Sequence, residues 1–107
     1  MNIESINVTE LKQMIDNKQE FELIDVREED EYEICSIHQA QLIPLSVFQD
    51  HYQALDKNKE YVIHCKMGGR SAKVCEFLLE KGFKQVKNLD GGIVAWANEV
   101  DNTIDIY

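Results

Sequence analysis

A cysteine is a nucleophile only as its thiolate, and one segment of this chain gathers the residues that favour that form. Cys65-Lys66-Met67-Gly68-Gly69-Arg70-Ser71 follows the apolar, β-branched run Tyr61-Val62-Ile63-His64 and leads into a helical pattern. Gly68 and Gly69 can take φ > 0 and turn successive N–H groups inward as an anion-binding nest. The helix opening at Ser71 adds unpaired N–H groups and the positive end of its dipole. Lys66, Arg70 and Lys73 are three of the 11 basic residues, and residues 65 to 73 hold no acid, in a chain of net charge −9. Each feature stabilises an anionic sulfur, so Cys65 is the expected catalytic nucleophile, with a pKa below the ordinary thiol value. Lys66 through Ser71 are the expected substrate-binding loop.

The other reactive side chains read differently. Cys75 shares a helix face with Leu78 and Leu79 and reads as packing. Cys35 follows Tyr32 and Ile34 in a loop. It reads as packing first, with a second thiol near the site as the alternative. His64 precedes the nucleophile on a strand, so side-chain alternation points it away from Cys65. His38 and His51 show no ligand spacing and read as surface residues. The Asp25-Arg27 pair reads as a strand-end ion pair, with donor binding by Arg27 as an accessory role. Glu28-Glu29-Asp30-Glu31 is a solvated, acid-rich helix start. The three cysteines form no CxxC pair, so neither a disulfide framework nor a zinc site is expected.

These groups must be held by an alternating α/β framework. Strands are expected at Ile3–Ile6, Phe21–Asp25, Gln41–Ile43 (stopped by Pro44), Tyr61–His64 and Gln85–Leu89. Between them lie a helix capped by Thr9 through Leu11, Met14 and Ile15, and one capped by Ser46 that carries Val47, Phe48, Tyr52 and Leu55. A third runs from Ser71 to Gly82 at C′, and a last one passes through Trp96. Such alternation implies a mostly parallel sheet with helices on both faces. In that architecture the carboxyl end of a strand, where Cys65 sits, is the usual ligand site.

Length and composition bound the rest. The 107 residues are one domain, 1–107, with 44% hydrophobic and 29% charged residues. The acidic balance argues against nucleic acid or an anionic membrane surface as partner. The longest apolar run, Ile93 to Ala97, is far short of the roughly 20 residues of a span. Met1-Asn2-Ile3-Glu4-Ser5 has no basic region, so no secretory signal and a cytoplasmic location are expected.

Over nearly its whole length the sequence resembles the rhodanese homology domain. Leu23-Ile24-Asp25-Val26-Arg27-Glu28 with Glu31-Tyr32, then Ile43-Pro44-Leu45, then the Cys65–Ser71 loop, then Leu89-Asp90-Gly91-Gly92 with Trp96 match that family's segments in order. The resemblance implies a three-layer α/β/α fold whose five-stranded parallel sheet has the order 3-2-4-5-1. It also implies a sulfurtransferase in which Cys65 takes sulfane sulfur as a persulfide from thiosulfate or a protein persulfide. Loop N–H groups would cradle the outer sulfur, and Arg70 with Lys66 would hold the anionic donor. A thiophilic acceptor, small or protein-borne, would then take the sulfur, with no metal or organic cofactor. One stretch departs from the family pattern. Cys35-Ser36-Ile37-His38-Gln39-Ala40 replaces a Gly-His-Ile-x-Gly-Ala run. This variant and the ending Trp96–Asp101 look most like rhodanese domains fused behind adenylating enzymes that supply sulfur to ubiquitin-like carriers.

Two other functions compete. Cysteine phosphatases place a thiolate in a Cys-x5-Arg loop, whereas Cys65 and Arg70 are separated by only four residues, a tighter ring suited to one sulfur atom. A dedicated relay or binding module, passing sulfur only inside a protein complex, fits Met67, which at the loop would present an apolar contact to a protein acceptor.

Overall fold

The computed structural model describes residues 3–107. Met1 and Asn2, part of the segment read above for a leader, lie outside them. Five strands form one parallel sheet: β1 (Glu4–Ile6), β2 (Glu22–Asp25), β3 (Gln41–Leu42), β4 (Glu60–His64) and β5 (Gln85–Leu89). Their order across the sheet is β1-β5-β4-β2-β3, which read from the other edge is the expected 3-2-4-5-1. β4, the most β-branched strand, is central and hydrogen-bonded on both sides, and Tyr61 to His64 are all buried.

Alternation along the strands sorts the core into two layers. Ile24, Tyr61 and Ile63 point to one face, where they meet Val74, Cys75 and Leu78 of α4 (Gly69–Glu80) and Phe48. Leu23 and Val62 point to the other, against Leu11 and Met14 of α1 (Val8–Asp16) and Ile93 and Trp96 of α5 (Gly92–Glu99). The sheet is therefore the middle of three layers, as expected. A short helix, α2 (Glu29–Ile34), follows β2, and the segment after β3 coils through α3 (Phe48–His51), flanked by single 3-10 turns. No helix among the described residues is long and apolar enough to cross a membrane.

Three expected helix starts move. α1 is capped by Asn7, not Thr9, because Glu10 completes a reciprocal box. The Glu10 N–H donates to Asn7 Oδ1 (2.8 Å) and the Asn7 N–H to Glu10 Oε1 (3.0 Å). Ser46 caps nothing; its hydroxyl donates to Glu28 Oε1 (2.6 Å) and thereby ties the α3 segment to the start of α2. α4 begins two residues before Ser71, because Gly68 takes the left-handed conformation (φ 116°) and serves as its N-cap. Its end is where the sequence places it. Gly82 (φ 92°) closes the helix with Gly82 N–H to Leu79 O and Phe83 N–H to Leu78 O, at 3.1 and 3.0 Å.

Candidate active site

The carboxyl ends of three adjacent strands deliver the site. Asp25, the last residue of β2, is in register with His64, the last of β4, and Ile63 is in register with Asn88 near the end of β5. Val26 N–H continues the ladder onto His64 O (3.0 Å), which places Arg27 beside the chain that carries Cys65.

Cys65 opens the turn into α4, and the turn folds back on its sulfur. Gly68 N–H lies 3.1 Å from Sγ, Ser71 N–H 3.4 Å and Ser71 Oγ 3.3 Å. Burial opposes the thiolate, but the Ser71 hydroxyl and the amides of Ser71, Gly68 and Met67 outweigh it. Cys65 is held below the ordinary thiol range. Only Gly68 of the glycine pair has the positive φ expected of both. Gly69 is the first helical residue and donates its place to the helix rather than to the nest.

The sequence reading missed Asn88. Its Oδ1 accepts the Ser71 hydroxyl at 2.5 Å, and its Nδ2 donates to Gly68 O at 3.2 Å. A serine hydroxyl has one proton, so with Cys65 as the thiol that proton belongs to Asn88 and the thiol hydrogen can point to Ser71 Oγ. Ionisation of Cys65 lets the hydroxyl turn to the sulfur. Asn88 thus holds both Ser71 and the cap residue Gly68 in place. Its only sequence signal is an amide at the end of a buried strand, where an apolar residue is the rule.

Glu31 was also missed as a site residue. Arg70 donates to both of its carboxylate oxygens, at 2.7 and 2.9 Å, while Glu28 N–H and the Tyr107 hydroxyl donate to the same group at 3.0 and 2.6 Å. The Arg70 bonds hold Glu31 at a pKa of about 2. The positive island read from residues 65–73 is therefore partly neutralised from α2. Lys66 is engaged too, donating to Tyr107 O at 2.7 Å with its ammonium 4.2 Å from the centre of the Tyr107 ring. Met67 projects outward and is 67% exposed.

Arg27 is fully buried. Its guanidinium clasps Asp25 (2.7 to 3.0 Å) and donates to Cys35 O (2.7 Å) and Glu31 O (3.3 Å), satisfying carbonyls at the end of α2. The geometry is that of the strand-end ion pair. Arg27 has no exposed surface with which to meet a donor from solvent. Cys35, half-buried, has its sulfur 3.9 Å from Arg27 Nη1. Cys75 is buried, and burial pushes its pKa up to about 12, which fits packing. His64 is buried with Nδ1 donating to Cys65 O (3.2 Å), and burial lowers its pKa. His38 and His51 are exposed. No group of three or more His, Cys, Asp or Glu among the described residues is arranged to hold a metal ion.

The rear of the loop is fixed by α5. Ile93 N–H donates to Cys65 O and Val94 N–H to Lys66 O, at 3.0 and 3.1 Å. Gly92 lies so near these carbonyls that any Cβ would collide with them.

Residues 7–99 match the model of the rhodanese-like domain. The putative sulfurtransferase YtwF of Bacillus subtilis is 43% identical over 99 residues, spanning 92% of this chain and 95% of that protein. The probable adenylyltransferase/sulfurtransferase MoeZ of Mycobacterium tuberculosis is 35% identical over 105 residues, 96% of this chain but 27% of that protein. Among solved structures, a rhodanese-like domain protein from Staphylococcus aureus superposes with a TM-score of 0.84 at 34% identity, covering 98% of this chain and 99% of that one.

Proposed function

From the premise that this chain belongs to the rhodanese-like domain family, we propose that it is a sulfurtransferase that carries sulfane sulfur as a persulfide on Cys65. The observation that carries this reading is the convergence of Gly68 N–H, Ser71 N–H and Ser71 Oγ on one buried sulfur whose pKa is lowered. A thiolate needs those donors, and a packed cysteine has no use for them.

The chemistry has two steps. The Cys65 thiolate attacks the outer sulfur of thiosulfate or the terminal sulfur of a protein persulfide. The donor S–S bond breaks, its electron pair leaves with sulfite or with the donor thiolate, and a Cys65 persulfide remains. A thiophilic acceptor then attacks the outer sulfur and Cys65 leaves as the thiolate, ready for another round. Sulfur moves without net oxidation of the protein. The loop amides that hold the thiolate are also the donors nearest the persulfide anion. Gly68, Ser71 and Met67 serve through their backbone, and Gly69 by starting α4.

A relay role inside a protein complex is favoured by one observation. Arg70 and Lys66, the expected anchors of an anionic donor, are both already partnered, by Glu31 and Tyr107. A protein persulfide docking on Met67 needs neither. The likeness to part of an adenylyltransferase/sulfurtransferase supports a protein acceptor.

Intact mass spectrometry after incubation with thiosulfate tests the reading. The mass should rise by one sulfur atom, fall back on adding a dithiol, and stay unchanged in Cys65→Ser. Cys75→Ser should behave as wild type; loss of the adduct in that variant instead would assign the chemistry to the wrong thiol. Thiocyanate formation from thiosulfate and cyanide should be robust for a general sulfurtransferase and feeble for a relay.

A further inference from the structure

The segment after α5 turns back toward the site. Asp101 N–H donates to Trp96 O (2.9 Å), Thr103 N–H to Asp101 Oδ1 (3.1 Å), and Ile104 packs against the α1/α5 core. These contacts aim the segment so that Tyr107 lands between the residues that follow β2 and those that follow β4. Both ends of Tyr107 are then fixed. Its hydroxyl donates to Glu31 Oε2 (2.6 Å) and accepts from Arg27 Nη1 (3.3 Å). Its main-chain oxygen accepts from Lys66 Nζ (2.7 Å), and its ring offers a π face to the same ammonium at 4.2 Å.

Lys66 follows the nucleophile directly, so its charge is the mobile cation nearest the reacting sulfur along the chain. An ammonium has three donors and no acceptor. Here one is spent on a main-chain oxygen, and the ring faces the charge. An incoming anion must compete with both contacts for Lys66. Tyr107 also lies outside residues 7–99, the part that matches the family model. The masking is therefore added onto the shared framework by this chain's own residues.

We infer that Tyr107 is a specificity-determining residue that masks Lys66 and so disfavours small anionic sulfur donors relative to donors that bring no charge to Lys66. This rests on the reading of Cys65 as the reactive thiol and deepens it. The site is biased towards a sulfur delivered on a thiol or protein and away from free thiosulfate.

The test uses two alkylating probes of Cys65 that differ in charge, anionic iodoacetate and neutral iodoacetamide, with rates followed on the Cys65 peptide by mass spectrometry. In Tyr107→Ala, which removes the ring and the hydroxyl anchors that hold the main-chain oxygen against Lys66, the iodoacetate-to-iodoacetamide rate ratio should rise by about threefold or more, the scale of one unmasked, partly screened charge. Tyr107→Phe, which keeps the ring and main-chain oxygen but loses both hydroxyl contacts, should rise less. Lys66→Met added to Tyr107→Ala should remove the gain, and the KM for thiosulfate should fall in Tyr107→Ala by a similar factor. A reactive Cys65 whose ratio is unchanged in Tyr107→Ala overturns the inference and leaves the sulfur-transfer reading standing. Equal acceleration by both probes also overturns it, since that is simple steric uncovering. A Cys65 inert to both probes defeats the sulfur-transfer reading and the inference with it.

Discussion

Arg70 and Glu31 face each other across the gap between α4 and α2 and share two parallel hydrogen bonds of 2.7 and 2.9 Å. They are 39 residues apart in sequence, and the pair joins the helix that follows the Cys65 loop to the helix that follows β2. A guanidinium whose charge is met by a bidentate carboxylate attracts a donor anion less strongly.

Removing the carboxylate should therefore improve the use of anionic donors. Glu31→Gln keeps a hydrogen-bond acceptor and frees the Arg70 charge. The KM for thiosulfate is expected to fall by roughly three- to tenfold, the worth of one partly exposed charge contact. Arg70→Ala should raise that KM while altering Cys65 alkylation by iodoacetamide much less. Steady-state kinetics and alkylation rates measured on both variants check this. A KM unmoved by Glu31→Gln would mean that Arg70 does not take part in donor binding.

The same pair makes stability depend on acid. Glu31 titrates at about 2 in the fold against an ordinary 4.5, held down first by Arg70. A depressed carboxylate pKa means the unfolded chain binds more protons in that interval. The stabilisation is thus complete above the unfolded value and is lost as pH falls towards 2. Arg70 is about a third exposed (35%), so solvent screens the pair and the contribution is about 0.5–1 kcal/mol. Urea unfolding at pH 7 should show Glu31→Gln less stable by that amount. The difference should shrink between about pH 5 and pH 2, the interval set by the two protonation states.

Cys65 alkylation should follow a titration whose midpoint lies below that of a free cysteine. Ser71→Ala removes the hydroxyl donor and moves the midpoint to higher pH. Asn88→Leu should act in the same direction through Ser71 and Gly68, with the maximal rate at high pH preserved, because it contacts no reacting atom. The pH–rate profiles of the three proteins separate a positioning effect from general damage, which would lower the plateau as well.

What sequence could say about this site follows from range. The β4-to-α4 unit is local: an apolar strand, a cysteine, two glycines and a helix lie within residues 60–80, and periodicity with turn chemistry places them. Cys75 on the buried face and Gly82 at C′ were readable for the same reason. The helix starts were off by two residues because a left-handed Gly68 and an asparagine with a glutamate three residues on both outrank a nearby hydroxyl. The partners of Cys65's loop were hidden because they are distant in sequence. Glu31, Asn88 and Tyr107 come from α2, β5 and the segment after α5, and no pattern within one element announces that they meet. The basic island of residues 65–73 is local and legible, whereas the Glu31 carboxylate that neutralises part of it comes from across the gap.

Arg27→Ala should be costly for folding. It would strand the buried Asp25 carboxylate and leave Cys35 O without its donor. Breaking a buried pair from one side typically costs about 3–5 kcal/mol. Arg27→Lys should recover only part, since one ammonium cannot reproduce the fork that meets Asp25 and two carbonyls. Thermal and urea unfolding check both variants.

Gly92→Ala tests how tightly α5 holds the loop. Gly92 has φ 55°, in the left-handed region, and its missing side chain is what lets Ile93 and Val94 donate to the carbonyls of Cys65 and Lys66. A methyl group there meets the carbonyls of Cys65 and Lys66, and neither can yield without moving the cysteine. The expected loss is about 2–4 kcal/mol, combining overpacking with the left-handed penalty of an L side chain. If the variant remains folded at low temperature, its Cys65 should be alkylated more slowly at neutral pH, because a displaced loop no longer aims its amides at the sulfur. A variant with wild-type stability and an unchanged alkylation profile would show that the loop is held by its own turn and not by α5.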